Sequence, residues 1–180
     1  PELAQTLDPA YVSHHKGVSM STFETLINSY KWNRGRTLGL LDAIDETGKS
    51  AEILGWRPGP GRAHIAWQLT HVGITEEIFA TERLAPDREP MFTDLWDRFR
   101  GGSTPDDDIP GSDEIRNVLN VARERMIETL GNYGEENLSD VPPAFAARNL
   151  TLLDVMHIIG WHEGHHQGQA HITFNLYKNQ

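Results

Sequence analysis

An all-α fold, a bundle of four main helices with one or two long crossovers, is what the sequence predicts. Three observations predict it. Four stretches place apolar residues at helical spacing. Three of those stretches open on a hydroxyl residue with acidic residues in the first turn. No credible strand pair and no internal repeat interrupts the pattern. The 180 residues suit one compact domain.

Residues 1–20 read as an N-terminal arm with little periodicity, ahead of a single domain over 21–180. Ser21 and Glu24 then form a capping-box pattern, and Phe23, Ile27, Tyr30, Leu41 and Ile44 follow on one stripe. The first helix is expected from about Thr22 to about Glu46. Arg34 falls on that stripe and reads as a snorkelling surface arginine, with anion binding as the alternative. The Gly- and Pro-rich run Gly55–Gly61 marks a loop. A second helix is expected from Arg62 to about Leu84, ended by Pro86 and Pro90.

Residues 86–111 form a long connection. Thr93 to Arg100 fits a short helix with Leu95, Trp96 and Phe99 turned inward. The run Asp106-Asp107-Asp108 lacks the alternating ligands and glutamate of an EF-hand loop, so it reads as solvated loop. Ser112 is expected to cap a third helix, with Ile115, Leu119, Ala122, Met126 and Leu130 as its buried stripe and Gly131 and Gly134 at its end. Thr151 and Asp154 make a second capping box, opening a last helix that runs to about Tyr177.

Composition excludes several functions. There is no cysteine, so disulfides, thiolate catalysis and cysteine metal sites are ruled out. Any metal must sit on imidazole and oxygen ligands, and any thiol must arrive with a cosubstrate. The formal net charge of -10 repels phosphate backbones, and no basic stripe compensates it. Nucleic acid is therefore not an expected partner. Nor is a membrane: no stretch approaches the roughly 18 uninterrupted apolar residues of a span. With no basic-then-apolar leader in the sequence, the expected location is the cytoplasm.

Nine histidines stand out. A helix turns about 100° per residue, so His162 and His166 lie one above the other on one face. That face also carries Val155, Ile158, Ile159, Thr173 and Leu176, so the pair is expected to point into the core. Two buried imidazoles need polar partners, and a metal ion satisfies both. A third ligand must come from another helix. His64 and His71 share a face with Trp67, Ile74 and Ile78, and spacing alone does not choose between them. His157 and His171 point away from the His162 face by roughly 140° and 180°, while His165 is offset by roughly 60° and flanks it. His14 and His15 lie in the arm. The run His162-Glu-Gly-His-His166 also matches the zinc-protease pattern H-E-x-x-H. No Asp or Glu follows Glu163, and Gln169 and Ile172 break the extended form of that motif, which argues against a protease.

Three stretches carry a resemblance to a known family. They are Tyr30-Lys-Trp-Asn33 leading to Leu40-Leu41-Asp42-Ala43-Ile44, Trp56-Arg-Pro followed by Ile65-Ala-Trp-Gln-Leu-Thr-His71, and His162-Glu-Gly-His-His-Gln-Gly-Gln169. In these the chain resembles the DinB/YfiT-like metalloenzymes. The resemblance implies a four-helix bundle in which three histidines hold one divalent ion, zinc or nickel. Carried over residue by residue, the ligands are His71, His162 and His166, and His71 is selected over His64. Gln167 stands where the family often has Arg, so an anion contact there is not implied.

The resemblance further implies a metal-dependent enzyme acting on a small molecule, most concretely a thiol S-transferase or thiol-dependent isomerase. Its cosubstrate would be a low-molecular-weight thiol such as bacillithiol or mycothiol, and the chain would form a homodimer. Two alternatives stand beside this: a metal-dependent hydrolase with Glu163 as base, and a non-enzymatic metal-binding bundle.

Overall fold

The computed structural model describes residues 20–180, so the expected arm, with His14 and His15, lies outside the described residues. Six α-helices carry the fold: α1 (Thr22–Asp45), α2 (Ser50–Gly55), α3 (Ile65–Ile78), α4 (Thr93–Phe99), α5 (Ser112–Leu130) and α6 (Leu152–Lys178). No strand occurs among the described residues. The expected all-α bundle is therefore the observed one, with α1, α3, α5 and α6 as its four long helices.

Both capping boxes form. The Ser21 hydroxyl accepts from the Glu24 amide at 3.1 Å, and the Glu24 carboxylate accepts from the Ser21 amide at 3.0 Å. Two more orphan amides at this helix end, those of Thr22 and Phe23, donate to the Glu135 carboxylate. That contact docks the turn before α6 onto the start of α1. Thr151 and Asp154 repeat the box on α6.

Three local expectations are corrected. Gly111, not Ser112, caps α5; the Ser112 hydroxyl instead donates to Asp45 at 2.7 Å and ties α5 to the end of α1. A short helix, α2, fills the stretch after α1, for which no element was expected, and takes in Gly55, the first residue of the expected loop. The second long helix starts at Ile65 rather than Arg62, and its last turns, Phe79–Arg83, widen into π-helix.

Of the three apolar clusters that build the core, one packs Leu95 and Phe99 of α4 against Ile74 and Ile78 of α3 and Val118 of α5, and the remaining two span the long helices. One joins Leu41 and Ile44 of α1, Ile65 and Leu69 of α3, Leu119 of α5 and Phe174 of α6. The other joins Tyr30 of α1, Met126 and Leu130 of α5, and Val155, Met156 and Ile159 of α6. The first half of α1 thus meets the first half of α6 but the second half of α5. So α1 and α6 run one way, and α3 and α5 run the other. The parallel pair α3 and α5 cannot be joined by a tight turn, which is why the long crossover carrying α4 exists.

Between the two clusters lies a buried polar layer, one residue from each long helix: Arg34, Glu76, Arg123 and Glu163. Arg34 donates to Glu163 and to Glu76, each at 2.7 Å. Arg123 pairs with the same two carboxylates, and Thr37 donates to Glu163 at 2.8 Å. Arg34 is 5% exposed, so it neither snorkels to water nor offers itself to an anion from solution. Its charge survives burial because two carboxylates and a main-chain oxygen of Leu119 meet it. Burial alone would raise the Glu76 pKa, but Arg34 and Arg123 outweigh it and hold it below the usual carboxylate range.

Candidate metal centre

His64 is buried, yet it faces away from the other imidazoles. It occupies the N-cap of α3, where its Nδ1 accepts from the Trp67 amide at 3.0 Å, and its Nε2 bonds to the Asp106 main-chain oxygen at 3.0 Å. Both ring nitrogens are spent on capping α3 and anchoring the crossover. His71, two turns on, faces α6. Its Nε2 lies 3.0 Å from the Nε2 of His162, and the His166 ring centroid is 4.6 Å from that of His71. One ligand atom from each of His71, His162 and His166 lies within 4.8 Å of the other two. No fourth His, Asp or Glu joins this group among the described residues.

The surroundings fix which nitrogen faces the centre. The Nδ1 of His71 meets the Phe99 carbonyl oxygen at 2.6 Å. A carbonyl cannot donate, so Nδ1 carries the proton and Nε2 keeps its lone pair. The Nδ1 of His166 likewise donates to the Gln68 side-chain oxygen, leaving its Nε2 free. The Trp67 indole stacks on His71, with ring centroids 4.6 Å apart and planes 9° from parallel. Its own N–H donates to the Arg98 carbonyl and the Ser103 hydroxyl. The crossover therefore orients the site on α3 through Phe99, Arg98 and Ser103.

The expected solvated aspartate run has a role in this. Asp106 takes Arg98 through both carboxylate oxygens, at 2.9 and 3.0 Å, and Asp107 pairs with Arg57 at 2.9 Å. The first pair closes the crossover on itself and the second reaches the loop before α3, while all three aspartates stay exposed to solvent as expected.

Burial depresses the basicity of all three imidazoles. His71 falls below the ordinary histidine value for that reason. His162 is pushed down to about 4 by burial first and the neighbouring His71 and His165 second. His166 is pushed down to about 3 by burial, then by His162, His71 and His165. Three imidazoles of depressed basicity, two of them with a lone pair turned inward by their Nδ1 partners, form a donor set for a borderline cation.

The spacing of His71 and His162 is close to what an ion needs, and His166 lies within 4.8 Å of both. Tetrahedral ligation at about 2.0–2.1 Å needs nitrogens roughly 3.4 Å apart. His71 and His162 would have to part by only a few tenths of an ångström.

His165 flanks the cluster, as expected, but is exposed and stacked on Trp161. His157 and His171 are exposed. Leu176, assigned to the buried face, is half exposed. Glu163 lies beside His162 in sequence, but its carboxylate points into the polar layer and is engaged by Arg34, Arg123 and Thr37. Gln68 and Phe99 were not singled out as supports of the site. Gln68 stands one turn before His71 on the same helix, a spacing that could have found it. Nothing in the sequence marks a carbonyl such as that of Phe99.

A cavity of about 300 Å³ opens against His71 and His162. A smaller one of about 180 Å³ lies between α3 and α6 and shares Thr75, Phe79 and His162 with it. The cluster is thus reachable by a small molecule from one side.

Among the described residues no helix is long and apolar enough to cross a membrane. No curated protein matches the chain. A crystal structure of a conserved protein from Enterococcus faecalis has the same fold: its TM-score is 0.66 at 15% sequence identity, covering 90% of this chain and 100% of that one. The model of the DinB superfamily matches residues 29–170, through the buried layer, His71 and the His162–His166 pair, and the chain belongs to that superfamily.

Proposed function

We propose that His71, His162 and His166 hold one divalent transition metal, zinc or nickel, and that the protein is a metal-dependent enzyme. The observation that carries this is the convergence of three histidines, joined by no fourth His, Asp or Glu among the described residues, beside a cavity. A structural zinc site is normally closed by four protein ligands, whereas a catalytic one keeps a position for water or substrate. The hydrogen bonds that His71 and His166 donate to Phe99 and Gln68 suit this use, because such partners fix the tautomer and aim of a ligating histidine.

The reaction class favoured here is transfer or isomerisation dependent on a low-molecular-weight thiol. Bound in this site, a divalent metal would lower the pKa of a thiol sulfur presented to it and so supply a nucleophile at neutral pH. The protein's own contribution is positional. Trp67 holds the plane of His71, Phe99 and Gln68 hold two tautomers, and Thr75 and Phe79 wall the space in which an electrophile would meet the sulfur. The chain has no cysteine to compete for the metal or to replace the cosubstrate.

Hydrolysis with Glu163 as base is less well supported, since that carboxylate is committed to two guanidinium groups and a hydroxyl. The test is cobalt substitution. Adding small thiols to the cobalt form should produce a sulfur-to-metal charge-transfer band in the near ultraviolet. Silence across a panel of thiols, with cobalt bound, would reject the thiol chemistry. A spectrum that responds to pH alone near neutrality would favour hydrolysis.

A further inference from the structure

The cavity beside His71 and His162 is lined by two arginines, Arg83 at the end of the π-helical turns and Arg100 at the end of α4. No carboxylate lines it. This is a pointed local reversal in a chain whose formal net charge is -10. Arg100 makes no ion pair among the described residues. Arg83 has one partner, its sequence neighbour Glu82 at 3.0 Å, and both side chains are about two-fifths exposed. An exposed pair of this kind is worth little and yields readily to a ligand.

The adjoining cavity has the opposite character. Val72, Phe79, Ile158 and Ile159 line it, and its one acid, Glu76, is already paired with Arg34 and Arg123. Thr75, Phe79 and His162 line both spaces. Taken together as one cleft, they have a cationic lobe and an apolar lobe, with His162 in the wall of both. The larger lobe is at the low end of the roughly 300–1,000 Å³ typical of small-molecule sites.

We propose that this cleft binds a small amphipathic carboxylic acid, its carboxylate at Arg83 and Arg100 and its apolar portion in the lobe of Val72, Phe79, Ile158 and Ile159. Guanidinium groups suit carboxylate recognition because their donors match both oxygens in one plane. The inference names a substrate class for the metal-dependent reading above and rests on that reading for its catalytic meaning. Arg83 and Arg100 are specificity-determining residues in it, acting on the substrate's charge while the histidines hold the metal.

The experiment uses the full chain stripped of metal, so that a carboxylate cannot bind through the ion. Hexanoate, hexan-1-ol and acetate are titrated by calorimetry or by amide chemical shifts. Hexanoate should bind at least about tenfold more tightly than either comparison, a difference of about 1.4 kcal/mol. The double variant R83Q/R100Q should lose the preference over hexanol and keep the same hexanol affinity, and each single variant should lose part of it. Equal binding of hexanoate and hexanol, no hexanoate binding, or a preference that survives in R83Q/R100Q would overturn the proposal. Metal stoichiometry is measured separately on the same proteins. A wild-type chain that prefers hexanoate but takes up no metal would sink the metal reading and leave the acid site standing.

Discussion

The ring Nδ1 of His71 lies 2.6 Å from the main-chain oxygen of Phe99, a bond between α3 and the end of α4. It sets the tautomer of His71 and turns its lone pair toward His162. His64 has no such freedom, since its two nitrogens cap α3 and hold Asp106.

Metal content should therefore separate the two histidines. His71→Ala and His166→Ala should each abolish stoichiometric binding. His64→Ala should retain it and instead lower stability by about 1 kcal/mol or more, the usual cost of losing an N-cap. Elemental analysis with a thermal melt reads both effects. Full occupancy in His166→Ala would remove the three-histidine assignment.

Glu163→Gln should act on the fold before it acts on any chemistry. It leaves Arg34 and Arg123 sharing one carboxylate, Glu76, in a layer almost without solvent. Breaking a buried pair from one side costs about 3–5 kcal/mol, and the retained amide places the expected loss near the low end. Urea unfolding measures it, and metal stoichiometry should not change. Wild-type stability combined with lost turnover would instead make Glu163 the base of a hydrolase.

Gly73→Ala tests the crossing of α3 and α5. A methyl group there would lie 2.7 Å from Val118 Cγ1 and 3.2 Å from the Val118 backbone carbonyl. Alanine gains about 1 kcal/mol of helix propensity over glycine, whereas overpacking costs about 1–3 kcal/mol. Because part of the clash is with backbone, the cost should win. A net loss of about 1 kcal/mol is expected, partly relieved by adding Val118→Ala. A stabilised single variant would show that the helices can part freely.

Acid stability should depend on Asp45. Burial works to raise its pKa, but bonds from Ser112, Arg116 and Ser50 outweigh it and hold the carboxyl below the usual carboxylate range. A folded pKa below the unfolded one stabilises the native state fully above the unfolded value, and the gain fades as pH falls through the folded value. Asp45→Asn should be less stable than wild type at pH 7 and should show a smaller loss on acidification below about pH 4. Urea midpoints across that range check the sign. An unchanged acid profile would mean that these bonds contribute no linkage.

The sequence by itself determined the four long helices, both capping boxes and the stacked pair His162 and His166. All are local: each depends on residues within about four positions, where helix geometry dictates which side chains meet. The tertiary structure decided what stands opposite each face. It turned Arg34 from an expected surface residue into the partner of Glu163, 129 residues away. It made His64 a cap, and it gave His71 and His166 their orienting partners, Phe99 and Gln68. A helical wheel gives the direction of a side chain but not its counterpart on another helix. That counterpart follows from the antiparallel setting of α3 against α6 and from the crossover that brings Phe99 over His71.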